Sequence, residues 1–80
     1  MFTRSITGST ATLLAYAPNG ACVGRRGVAT GRGLLRRAAS EAVRLAADSP
    51  LWRVALDQGQ IEVARWSTAT KRYVNRRVIR

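Results

Sequence analysis

The side chains in this sequence that could do chemistry are almost all cations. Fourteen Lys and Arg stand against four Asp and Glu, a formal charge of +10 on 80 residues, and every cation except Lys71 is an arginine. A guanidinium is a planar fork of donors that matches phosphate oxygens and the acceptor edge of guanine. A GC-rich genome that favours Arg codons would enrich arginine as well. The spread of the charge carries more information than its total. Residues 1–40 hold Arg4, Arg25, Arg26, Arg32, Arg36 and Arg37 with no acid, and residues 67–80 hold Lys71, Arg72, Arg76, Arg77 and Arg80, again with no acid. Residues 41–66 hold Arg44, Arg53 and Arg65 together with all the carboxylates, Glu41, Asp48, Asp57 and Glu62. Two cationic segments far apart in sequence point to a polyanionic partner, and nucleic acid, DNA or RNA, is the one that most often rewards such a field, through phosphate neutralisation and counterion release.

Other chemistries find few residues to work with. The chain has no histidine and a single cysteine, Cys22, so neither a Ser–His–Asp triad, a Cys/His metal site nor an internal disulfide is available. The scattered carboxylates do not form the close pair of a glycosidase. No metal, no cofactor and no enzymatic activity are therefore expected. No Gly-Lys-Ser or Gly-Lys-Thr occurs, and Gly31-Arg32-Gly33 lacks the third glycine of a dinucleotide fingerprint. Gly24-Arg25-Arg26-Gly27 has the GXXG spacing with which KH modules clamp an RNA backbone. That clamp joins two helices, whereas a hairpin precedes this one. No apolar run approaches the roughly 18 residues of a membrane span, and the first residues lack the continuous apolar segment of a secretory signal. The expected location is cytoplasmic, with no membrane partner.

The elements that must position these cations follow from the hydrophobic pattern. Residues 31–49 have the clearest period: Leu34, Leu35, Ala38, Ala39, Ala42, Val43, Leu45 and Ala46 fall on one half of a helix, and Arg36, Arg37, Ser40, Glu41, Arg44 and Asp48 on the other. The helix is expected to stop at Ser49-Pro50. Four-residue spacing pairs Arg37 with Glu41 and Arg44 with Asp48, which leaves Arg32 and Arg36 uncompensated. Before the helix, Phe2–Ile6 reads as a short strand and Thr10–Ala17 as a longer one. Pro18-Asn19-Gly20 then makes the turn into a return strand from Ala21 to Arg25 or as far as Ala29. A glycine- and arginine-rich loop delivers the chain to the helix. Its backbone N–H groups and the side chains of Arg25, Arg26 and Arg32 could meet a phosphate.

After the helix, Leu51–Leu56 and Ile61–Trp66 read as a second hairpin closed at Gln58-Gly59, with Trp52 beside Arg65 and Trp66 beside Arg53. Residues 67–80 read as a short basic helix, since Tyr73, Val74, Arg77 and Val78 have helical spacing, with a strand as the alternative. The expected fold is a single small α+β domain over residues 1–80, ββ-α-ββ, in which two hairpins form an antiparallel sheet that carries one main helix. A core this small is marginally stable alone, so homodimer formation would add useful burial.

The stretch Trp52-Arg-Val-Ala-Leu56, Ile61-Glu-Val-Ala-Arg65 and Lys71-Arg-Tyr73 resembles part of the C-terminal half of RelE-type mRNA-cutting toxins, over less than a third of the chain. That resemblance implies RNA cleavage assisted by Arg65, Lys71 and Tyr73. The preferred expectation is instead non-catalytic nucleic-acid binding, mainly to the phosphate backbone, through Arg25, Arg26, Arg32, Arg36, Lys71, Arg72, Arg76, Arg77 and Arg80, with Trp66 available to stack on an unpaired base. The leading alternative is a phage or mobile-element accessory protein that docks its basic face on a host nucleic-acid-handling complex and inhibits it, as an anti-CRISPR does.

Overall fold

The computed structural model describes residues 10–80, so the strand expected over Phe2–Ile6 lies outside the described residues. The elements are β1 (Thr10–Tyr16), β2 (Cys22–Ala29), α1 (Leu34–Asp48), α2 (Pro50–Gln58), β3 (Gln60–Ser67) and β4 (Arg72–Val78). The strands form one sheet in the order β2-β1-β3-β4, antiparallel throughout. The fold is α+β, two β-hairpins flanking a helical segment. That segment is a pair of helices.

The first hairpin turns where Pro18-Asn19-Gly20 places it. The Ala17 carbonyl accepts from Gly20 N–H at 2.9 Å, and the Asn19 side-chain oxygen accepts from Ala21 N–H at 2.9 Å. On the central strand β1, Ala11, Leu13 and Ala15 face the helices and join the main core with Val28, Ile61 and Val63. Leu14, on the other face, is also buried. Ala38, Ala42 and Ala46 repeat at four-residue spacing along α1 and are its buried positions. Their small side chains let the helix lie close to the sheet.

Leu51–Leu56 is not a strand. Ser49 ends α1, and the same residue caps α2: its hydroxyl accepts from Trp52 N–H at 3.4 Å, and Pro50 takes the first helical position, where its missing N–H costs nothing. Trp52, Ala55 and Leu56 then fall at i, i+3 and i+4 and turn towards the core. No hairpin closes at Gln58-Gly59. The chain leaves α2 at Gly59 and runs directly into β3, which pairs with β1 (Ala15 with Ile61, Leu13 with Val63) and makes the second hairpin with β4. The cross-strand partner of Arg65 is therefore Val74, not Trp52, and Trp66 pairs with Tyr73 instead of standing beside Arg53. The tail is strand β4, not a helix. A bulge at Asn75, which has a φ of 54°, shifts its register between Val74 and Arg77.

Two glycines are required by close approach. The Trp52 indole lies directly on Gly24 of β2, where an added Cβ would stand 2.7 Å from Nε1, and a Cβ on Gly59 would collide with the Tyr16 carbonyl oxygen. Gly24→Ala should thus lower stability by about 1–3 kcal/mol through overpacking. Gly27→Ala in the same strand meets no atom within 4 Å and should stay within about 0.5 kcal/mol of the parent. Urea midpoints of the two variants check this difference.

Candidate nucleic-acid interface

The chain enters α1 through Gly31 and Gly33, with φ of 104° and 79°, and an arginine fixes this turn. Arg37 donates from Nη1 to the Arg32 carbonyl at 2.7 Å and from Nη2 to the carbonyls of Ala29 and Thr30 at 3.1 and 3.0 Å. It does not pair with Glu41 as the helical spacing suggests. Glu41 takes Arg44 through two hydrogen bonds and Arg26 of β2 at 3.4 Å. The hydrogen bond from Arg44, and then the charges of Arg44 and Arg26, hold its carboxyl below the usual range.

With Arg37 committed to the loop, Arg36 is left exposed at the start of α1. There a cleft of about 500 Å³ opens between the start of α1 and residues of β3 and β4. Leu34, Leu35 and Val63 form its apolar part, and Arg36 from α1, Arg65 from β3 and Arg77 from β4 its cationic part. Among the described residues, no carboxylate lines it. Three like charges in one concave, partly apolar site focus a positive potential that an anion would relieve. The cleft lies within the size range of small-ligand sites.

A second polar cluster occupies the sheet face away from the helices. Glu62 is 6 % exposed. It accepts from Arg76 Nε at 2.8 Å and Nη2 at 3.2 Å, and from Gln60 Nε2 at 2.6 Å. Arg76 also donates to the Tyr16 hydroxyl at 3.1 Å and lies 5.9 Å from the centre of that ring. Burial, and next the negative charge of Glu62, push the Tyr16 phenol above its ordinary value. The Glu62 hydrogen bond and charge raise the Arg76 guanidinium. The Arg76 fork is thus turned inward, onto a carboxylate.

The cationic residues read from the sequence therefore divide into groups. Arg36 and Arg77 meet at the cleft, with Arg32 exposed in the turn beside it. Arg25 and Arg26 lie on β2, the edge of the sheet opposite β4, about 14 Å away at the usual strand spacing, and Arg26 shares a second cleft with Arg36, Arg37, Glu41 and Arg44 on the helix side. Arg26 faces the helices and is bridged to Glu41, whereas Arg25 pairs with Leu14 on the other face. Lys71 sits in the β3–β4 turn with a φ of 57°, next to Arg72 opposite Ser67. Arg80 is tied by its backbone to Ile61. Trp66 lies on the face away from the helices, against Tyr73.

The Gly24–Gly27 segment is extended strand within β2, not a loop between helices. Arg65 and Tyr73, named together by the toxin resemblance, leave opposite faces of the sheet. The sequence reading assigned Arg65 no binding role, and Tyr16 and Glu62 no role in the polar cluster. Only the cross-strand register, which brings Arg65 beside Val74 and Glu62 beside Leu14, makes their neighbours visible. No family model, curated protein or solved structure matches the chain.

Adjacent arginines thus have separate duties. Arg37→Ala, which removes three hydrogen bonds to carbonyls from a charged donor, should cost about 1–2 kcal/mol. Arg36→Ala should stay within about 0.5 kcal/mol of the parent. Chemical unfolding of the two variants checks the contrast.

Proposed function

We propose that this protein binds nucleic acid without catalysis, chiefly through phosphate contacts at the α1–β3–β4 cleft. The observation that carries the reading is the convergence of Arg36, Arg65 and Arg77, from three separate elements, on a cleft lined by no carboxylate of the described residues. Guanidinium groups suit phosphate because two parallel N–H donors meet two oxygens at once. Arg32 at the entrance to α1 and Lys71 and Arg72 at the β3–β4 turn widen the field around the cleft. Arg26 and Arg76, already bonded to Glu41 and Glu62, are assigned to holding the fold. A cytoplasmic location accompanies this reading. The rival, docking on an acidic surface of a host complex, needs the same potential, and no feature of the cleft favours it.

Anisotropy titrations with labelled DNA and RNA, single-stranded and duplex, test the proposal between about 50 and 200 mM salt. Affinity should fall steeply with salt. The double variant Arg36→Glu/Arg77→Glu should bind at least about tenfold more weakly with a shallower salt dependence, since each lost phosphate contact reduces the slope by about one. Arg44→Gln, which removes a cation engaged by Glu41, should change binding little. Absence of binding at low salt, or binding indifferent to salt, would overturn the reading. Protein partners that survive nuclease digestion in a pull-down would favour the rival.

A further inference from the structure

Trp66 has no place in the core or in the cleft. It is 52 % exposed. It stands on the sheet face away from the helices, and its ring meets Tyr73 at a centroid distance of 5.0 Å and an interplanar angle of 72°. Tyr73 is its cross-strand partner, so the contact is set by the register of the β3–β4 hairpin rather than by a free rotamer. An edge-to-face neighbour fixes the orientation of the indole without stacking flat upon it. Cations are its neighbours along the hairpin. Arg72 pairs with Ser67, the next residue along β3, Lys71 forms the adjoining turn, and Arg65, the residue before Trp66, belongs to the cleft on the other side of the sheet. The β3–β4 hairpin therefore offers a flat aromatic ring on one face and phosphate-binding arginines on the other, with only the edge strand β4 between them.

From this placement we infer that Trp66, supported by Tyr73, is a stacking platform for an unpaired base, and that the nucleic acid bound at the cleft is single-stranded. This rests on the nucleic-acid reading and narrows it. A single strand can bend over the edge of β4, set its phosphates against Arg65 and Arg77 and lay a base on the indole. A duplex keeps its bases stacked on one another and presents only their edges, so it has no ring face to offer Trp66. Because every base has such a face, the platform tolerates any sequence.

The test titrates the full chain with oligo(dT), oligo(U) and a duplex of equal total charge, following anisotropy and tryptophan emission. Both single strands should bind more tightly than the duplex and quench emission. Tighter binding of oligo(U) identifies RNA as the source and of oligo(dT) identifies DNA, and either supports the inference. Trp66→Ala should lose about fivefold or more for single strands with duplex binding unchanged, and Trp66→Phe should recover most of the loss while abolishing the quench. The stacking role is overturned if Trp66→Ala binds single strands like the parent, if duplex affinity falls equally, or if the parent's emission does not respond. Should those results coincide with binding that Arg36→Glu/Arg77→Glu still weakens, the phosphate reading survives alone. Should no nucleic acid bind, both fail.

Discussion

The fold depends on how the chain is turned at Ser49-Pro50. One residue ends α1 with its backbone N–H on the Leu45 carbonyl and starts α2 with its side chain on Trp52 N–H. Proline, which would break a continuous helix, here sits where a helix can begin. Both helices are thereby laid on the same face of the sheet. The turn also delivers Trp52 onto Gly24, which closes the core over β2, and places Gly59 against the Tyr16 carbonyl so that β3 enters beside β1. A small domain with one layer of helix on one layer of sheet has few other contacts to fall back on.

This arrangement also decides where the cations go. The outer strands β2 and β4 carry most of the arginines of the sheet, and charged side chains on an edge discourage pairing with another chain. Two of the edge cations are turned inward onto carboxylates, Arg26 onto Glu41 and Arg76 onto the buried Glu62. Losing Glu62 would leave a guanidinium without its buried partner, so that pair belongs to the architecture. In the cleft between the start of α1 and strands β3 and β4, no carboxylate of the described residues lines the space and three arginines share it. The meeting of these three arginines follows from the fold rather than from the density of arginine in the sequence.

Much of this was legible in the sequence. The period of residues 34–46 gave α1 and its buried alanines, and Pro18-Asn19-Gly20 gave the first hairpin. The misreadings have physical causes. Ser-Pro signals both the end of one helix and the start of the next, and Trp52, Ala55 and Leu56 are too short a run to separate helix from strand. In β4 the Asn75 bulge inserts a residue, so that Tyr73 shares a face with Arg76 and Val74 with Arg77. A strand with a bulge thus mimics the three- and four-residue spacing of a helix. For the site, Arg36 and Arg77 were legible as cations, but their meeting was not. Arg37 was assigned to Glu41 by its spacing, although three loop carbonyls compete for the same guanidinium. Arg65 lies in a segment of balanced charge and gains its position only through register.

The central claim is that Arg36, Arg65 and Arg77 act as one phosphate-binding group. Following the arginine Nε–Hε resonances by NMR while a short oligonucleotide is added tests it most directly. The account predicts that these three signals shift together along a single saturation curve, while Arg44, held by Glu41, stays in place. Shifts confined to Arg25 and Arg80, with Arg36 and Arg77 unmoved, would contradict it.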